Sequence, residues 1–308
     1  MLKRFWSAIL ICLLLPLGCS QEEPTTRVDL SKKEQIGQRE EANVITYAYL
    51  PQYSHTVSYQ RHHLLVEYLR KETGLNIRQI FPETFDKHMK MVGQGKIDIS
   101  YSNPFFYVKI AHRYGARAFA RVVESYGREN FRGQIICRAD NRLIHGIADC
   151  RGKRWIAVSP YSAAGYLYAL GHFIAHGLKK SDFSVVDFAP GPGAQQEKVV
   201  LAVYADKYDV GTIREGTLNV IADRIDINEI RVIANTHWYP GWVYAARADL
   251  KPGIVEKIKK AFLRLDYNQS EYMRILKAAD ITGIIPSEDR DFDPVRDLVE
   301  RLGVSLER

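Results

Sequence analysis

The chain is 308 residues long, with 43 Lys and Arg against 36 Asp and Glu, a formal charge of +7 and 46% hydrophobic residues. Charges of both signs are interspersed rather than grouped, which argues against a nucleic-acid partner; a mild positive balance suits a small anionic ligand instead. There is no internal repeat, and the length excluding a leader allows one large domain or two lobes.

Lys3 and Arg4 precede an apolar run at 5–17, too short to cross a bilayer but right for the core of a signal peptide. The run closes on Leu15-Pro16-Leu17-Gly18-Cys19-Ser20. Gly-Cys after such a core resembles a bacterial lipobox, which predicts that 1–19 is a lipoprotein signal and that Cys19 is lipidated and becomes the first residue; Pro16 stands where the pattern prefers Leu. The alternative is an ordinary secretory signal. Either way the chain is exported, and the lipobox reading makes it a periplasmic, membrane-anchored lipoprotein. Residues 20–43 are polar and charged, the composition of a tether. Two further cysteines, Cys137 and Cys150, then lie in an oxidising compartment, where a disulfide or a thiol site for a soft ligand are the two readings.

From residue 44 the pattern alternates. Strands are expected at 44–50, 77–81, 95–101 and 118–123, and helices at 58–73, 84–92 and 105–114. A second block places strands at 134–138, 155–158, 183–188, 208–212, 231–234 and 242–247, with a helix at 195–205. The last part reads as helical at 252–265, 270–279 and 294–302. Such alternation predicts an α/β fold with mainly parallel, doubly wound sheets, whose ligands sit beyond the carboxyl ends of strands. The loops in that position are 52–56, 101–104, 159–165, 190–196 and 213–216.

The central stretch is Ser159-Pro160-Tyr161-Ser162-Ala163-Ala164-Gly165, after the expected strand 155–158. Ser162 is the predicted N-cap of a helix running to 176, with Gly177 as its stop. The first turn, Ala163-Ala164-Gly165, leaves backbone N–H groups unshielded at the positive end of the helix dipole, where an anion is stabilised. Tyr53 and Tyr101, after strand ends, offer an apolar wall with a hydroxyl, and Ser54, Ser102, Asn103, Ser159 and Tyr161 share those loops. Ser102 and Asn103 also suit a turn before Pro104. His62-His63 cannot share a helix face, and no motif for a metal, a nucleotide-phosphate loop or a catalytic nucleophile occurs, so no enzyme, metal or cofactor is expected.

Four segments in order carry a family resemblance: Tyr49-Leu50-Pro51 with Glu67-Tyr68-Leu69; Gly95-Lys96-Ile97-Asp98 leading to Tyr101 and Pro104-Phe105; Arg138-Ala139-Asp140 with Gly152-Lys153-Arg154; and Ser159 to Leu167. They resemble the periplasmic substrate-binding proteins of phosphonate, phosphite and phosphate ABC transporters, the PhnD-like family, over about 44–266. The resemblance implies a type II periplasmic-binding-protein architecture: two doubly wound α/β lobes, 44–136 plus 235–308 and 137–234, joined by a hinge. It further implies a monomer that captures a phosphonate-, phosphite- or phosphate-like oxyanion at the helix near Ser162 and serves an ABC permease. A membrane histidine kinase as partner and a carboxylate as ligand are the alternatives. The family's Ser-Thr-Ser-Gly run reads Ser162-Ala163-Ala164-Gly165 here, its common His falls at Gln196, and a carboxylate or amide position falls at Arg214-Glu215. Arg214 could replace the lost donors, since a guanidinium grips an oxyanion with two N–H groups.

Overall fold

A computed structural model describes residues 44–191 and 193–307. The signal, the tether and Cys19 lie outside them.

The first block is β1 (Val44–Tyr49), α1 (His55–Thr73), β2 (Asn76–Ile80), α2 (Phe85–Gly93), β3 (Ile99–Ser102), α3 (Pro104–Tyr114) and β4 (Arg117–Glu124). The short strand β5 (Asn130–Phe131) then carries the chain across to β6 (Gly133–Arg138), β7 (Arg154–Ala157), α4 (Tyr168–Ala175), β8 (Val185–Phe188), α5 (Gln195–Tyr204), β9 (Val210–Arg214), α6 (Thr217–Ile221) and β10 (Ile230–Asn235). It returns through β11 (Tyr239–Pro240), which pairs with β5, to β12 (Val243–Ala246), α7 (Pro252–Leu263), α8 (Ser270–Ala278), β13 (Ile281–Pro286) and α9 (Asp293–Arg301). Two sheets result, ordered β13-β4-β12-β3-β1-β2 and β10-β6-β9-β7-β8.

Local chemistry fixes the helices that face the space between the sheets. Ser54 Oγ accepts from Val57 N at 3.3 Å to open α1, and Gly74, at φ +67°, closes it in the left-handed region. Asn103 Oδ1 accepts from Phe106 N at 2.9 Å and Pro104 sits at the first helical position of α3, the place where its missing N–H costs nothing. The second lobe's core forms around Trp155, fully buried, with its Nε1 donating to Thr212 Oγ1 at 3.0 Å and its ring 5.0 Å from both Phe173 and Phe183. Each such aromatic or aliphatic side chain contributes about 1.5–3 kcal/mol by leaving water.

Two expectations are corrected. The sheets are mixed: β1 with β2 and β3, and β7 with β8 and β9, are parallel, but β12 and β13 in one sheet and β6 and β10 in the other pair antiparallel. β6 and β12, which arrive from the opposite lobe, enter their sheets from the other end and run against both neighbours. The C-terminal part also contains β13, on the edge beside β4; its Ile-Thr-Gly-Ile-Ile-Pro sequence ends in Pro286, a residue an edge strand tolerates. β6 runs across residue 136, and its Gly133 to Ile136 pair with Arg214 to Gly211 in the second sheet.

Candidate functional site

The ends of β4 and β9, the turn after β1 and the start of α1 converge on a cavity of about 780 Å³ between the sheets. Tyr53, Arg61, Glu124, Phe131, Arg214 and Trp238 are among the residues that line it. Behind them stands an aromatic wall. Tyr49 stacks on Trp242 with centroids 5.7 Å apart, and Tyr101 lies 5.2 Å from Trp242 and 4.6 Å from Tyr244. Gln52 Nε2 donates to the Tyr49 hydroxyl at 2.8 Å, fixing that ring.

Arg214 is the charged centre of this cavity. Its guanidinium carbon is 5.3 Å from the Phe131 ring and 5.6 Å from the Trp242 ring, and it donates to Glu124 Oε2, joining the second lobe to the first. The two side chains are only 11% and 9% exposed, so the pair is withdrawn from water. Burial works against the Arg214 charge, but Glu124 and the tyrosines Tyr53, Tyr101 and Tyr49 outweigh it and its pKa is raised. Burial raises the Glu124 carboxyl above its usual range, with Arg214 pulling it back. The second carboxylate oxygen, Oε1, is buried without a partner, as is Trp242 Nε1. Unpaired polar atoms of this kind cost free energy unless something else satisfies them. Arg61 adds a second cation, 4.4 Å over the Tyr53 ring and paired to Asp280 at 3.0 Å.

The structure distributes the residues expected from sequence among several tasks. Tyr53 and Arg214 line the cavity, and Tyr101 is in the wall behind it. Ser54 and Asn103 are helix caps; Asn103 Nδ2 also reaches the other lobe, donating to the Tyr161 carbonyl at 3.2 Å. Ser102 is buried with an unpartnered hydroxyl. Ser159 Oγ accepts from Tyr161 N at 3.2 Å, and Ser162 Oγ accepts from Gly165 N at 3.1 Å, so Ser162 is the N-cap the sequence indicated. The turn it caps is not α-helical: Ala163–Leu167 is a π turn that leads into α4. Ala163 and Ala164 are 1% and 3% exposed. Gly165 gives its carbonyl to Thr212 Oγ1 at 2.7 Å. Gln196 is a support: its Oε1 accepts from Arg214 N at 3.0 Å and from Thr217 Oγ1 at 3.4 Å, holding the turn that presents Arg214.

Cys137 and Cys150 are free, buried thiols. Arg231 lies 3.6 Å from Cys137 Sγ, the Cys150 thiol points to Gly146 O at 3.8 Å, and burial pushes the Cys150 thiol up to about 12, out of the reactive range. Among the described residues no group of His, Cys, Asp or Glu could hold a metal ion, and no helix is long and apolar enough to cross a membrane. Sequence reading passed over Glu124, Arg61, Trp238 and Trp242. The only signal for Glu124 was a charge at the end of an apolar strand, and Arg61 reads as an ordinary polar position of α1.

Comparison with known proteins agrees with this geometry. The sequence profile of the family described as "ABC transporter, phosphonate, periplasmic substrate-binding protein" matches residues 47–292. The phosphate-import protein PhnD of Mycolicibacterium smegmatis is 24% identical over 258 residues, 78% of this chain and 79% of that one. A binding-protein component of a Pseudomonas aeruginosa ABC phosphonate transporter has the same fold, with a TM-score of 0.75 at 17% identity over 85% of this chain and 87% of the other. PhnD1 of Prochlorococcus marinus, solved in complex with methylphosphonate, gives a TM-score of 0.74 at 15% identity over 85% and 99%. The chain belongs to the periplasmic substrate-binding proteins of phosphonate ABC transporters, a family that binds and delivers a solute and is not one of enzymes.

Proposed function

We propose that the protein captures a small oxyanion-bearing ligand between its lobes, gripping it through Arg214, and delivers it to the permease of an ABC importer. The observation that carries this reading is the Arg214 guanidinium, buried among aromatic rings at the meeting of the two lobes with Glu124 as its carboxylate partner. A guanidinium offers five N–H donors, and Glu124 is seen to take one nitrogen, Nη2, leaving donors for a ligand oxygen. Ala163 and Ala164 keep the backbone amides of the family's turn, but both are buried and neither lines the cavity, so the grip in this reading falls to Arg214. The methylphosphonate held by the Prochlorococcus protein and the phosphate named for the mycobacterial one put phosphonates and phosphate first among the ligands to try. In this reading the lobes are 44–132 with 237–308 and 133–236, and β5 and β11 form the crossing.

Calorimetric titration with phosphonates, phosphite, phosphate, sulfonates and small carboxylates tests the reading. Arg214→Lys keeps the charge but loses the two-pronged grip, and should weaken the oxyanion found by the screen by about 10- to 150-fold, the worth of charged hydrogen bonds of about 1.5–3 kcal/mol. Glu124→Gln removes a negative charge from the site and should tighten the same ligand. If Arg214→Lys folds and binds as the wild type does, Arg214 is not the grip.

Anchoring is part of the same proposal. Gly18-Cys19 after the apolar run supports lipidation of Cys19, with the polar stretch 20–43 as tether. The wild type should fractionate with membranes and Cys19→Ala should not; a mature N-terminus at another residue would count against it.

A further inference from the structure

The cavity is far larger than a phosphonate needs. A phosphonate head is a handful of heavy atoms, on the order of three water volumes of ~30 Å³ each, whereas the space between the lobes is about 780 Å³. Pockets of about 300–1,000 Å³ are the size that accommodates drug-sized organic molecules.

The lining mixes charged, neutral polar and aromatic surface. Arg214, Glu124 and Arg61 bring charge to it, as do Arg128, Glu215, Lys277 and Asp280. Toward the crossing between β10 and β11 stands Trp238, 39% exposed. It is held in place: the guanidinium carbons of Arg128 and Arg132 lie 4.7 and 4.4 Å from its ring centroid, and both arginines pair with Glu215, at 3.4 and 2.7 Å. A tryptophan fixed in this way offers a rigid apolar surface with little rotamer freedom left to lose. Carboxamides also line the cavity, Gln60, Asn130, Gln134 and Asn219, together with Leu218 and Val220. Carboxamides both donate and accept, and so suit hydroxyls and ring nitrogens rather than a bare anion.

Resting on the oxyanion reading above, we infer that the ligand is an organic phosphate or phosphonate with a large hydrogen-bonding substituent, its anion at Arg214 and its organic part against Trp238 and the carboxamides. Trp238 also stands beside the crossing strands, so contact with the organic part would act on the segment that joins the lobes.

The test is calorimetric titration of the purified protein with four probes: adenosine 5′-monophosphate, glucose 6-phosphate, methylphosphonate and inorganic phosphate. At least one of the two esters should bind about tenfold or more tightly than either small anion. Trp238→Ala should remove about that factor for the ester and leave methylphosphonate within about twofold. Asn219→Leu, on α6 at the cavity's edge, provides a second variant should Trp238→Ala fold poorly, and is expected to weaken the ester selectively as well. Small anions binding as tightly as both esters would overturn the inference. So would variants that leave the ester unchanged, or that weaken ester and methylphosphonate alike. If no anion of any size binds and Arg214→Lys behaves as wild type, the oxyanion reading itself fails and this one goes with it.

Discussion

His62 and His88 show how single side chains set the response of this fold to acid. They are 1% and 0% exposed, and each has one ring nitrogen occupied: His62 Nδ1 by the Tyr47 hydroxyl at 2.7 Å, His88 Nε2 by Ser100 Oγ at 2.8 Å. Burial, reinforced at His62 by the neighbouring Arg61, lowers both to about 3. The unfolded chain therefore binds protons between about 6.5 and 3 that the folded chain refuses, and stability present above pH 6.5 is lost as pH falls through that window. At pH 4.5 each histidine should have withdrawn roughly 2–3 kcal/mol. Urea unfolding at pH 7 and pH 4.5 should show a marked loss, and His88→Leu should remove about half of the histidine share of that loss. An unchanged pH difference in His88→Leu would show that His88 is already charged in the fold.

At the scale of elements, the informative one is the turn Ala163–Leu167 that precedes α4. It is squeezed between two strands. A Cβ on Gly165 would lie 2.4 Å from Val158 Cγ2, and one on Gly133 of β6 would lie 2.5 Å from the Ala164 carbonyl. Glycine at both positions lets β6 and β7 close on the turn, and the wider π spacing accommodates the approach. Ser162→Ala should cost about 0.5–2 kcal/mol through loss of the cap on Gly165 N. Gly165→Ala should cost about 1–3 kcal/mol or more, because Val158 is fully buried and cannot move aside. Thermal unfolding of the two variants checks the order. If Gly165→Ala proves as stable as wild type, the packing described for this turn is wrong.

For the whole molecule, the lobes meet through a packed turn, in which Ala163, Ala164, Leu167 and Tyr168 join the first lobe's core, and through specific polar contacts. Arg214 pairs with Glu124, Asn103 Nδ2 donates to the Tyr161 carbonyl, and Gly193 comes close enough that a Cβ would lie 3.3 Å from the Tyr53 carbonyl. From the C-terminal end, Leu298 of α9 would meet a Cβ on Gly171 of α4 at 2.7 Å, so the last helix braces the second lobe. A chain that crosses between lobes at the paired strands β5 and β11 is expected to let them part about that crossing and close again on a ligand. Small-angle scattering should show a smaller radius of gyration under saturating ligand, and Asn103→Ala should raise the radius of the ligand-free protein. A radius unaffected by both would mean that the lobes do not move.

Sequence by itself determined the repeating units. The periodicity and the cap signal placed β1 through β4 with their helices, and Ser162 as a cap, because these features depend on residues three or four apart in the chain. The four motif segments carried the family. Sequence could not show that Arg214, singled out as a lone donor, meets Glu124 from 90 residues away, or that Gln196 supports it rather than a ligand. Nor could it show that the Ala164 carbonyl lies against Gly133, or that Trp238 is pinned by two arginines beside the cavity. Those relations arise where two separately folded sheets are brought face to face by paired crossing strands. A buried ion pair or a close backbone approach leaves no periodic trace in either partner's own segment, so only the tertiary structure could decide them.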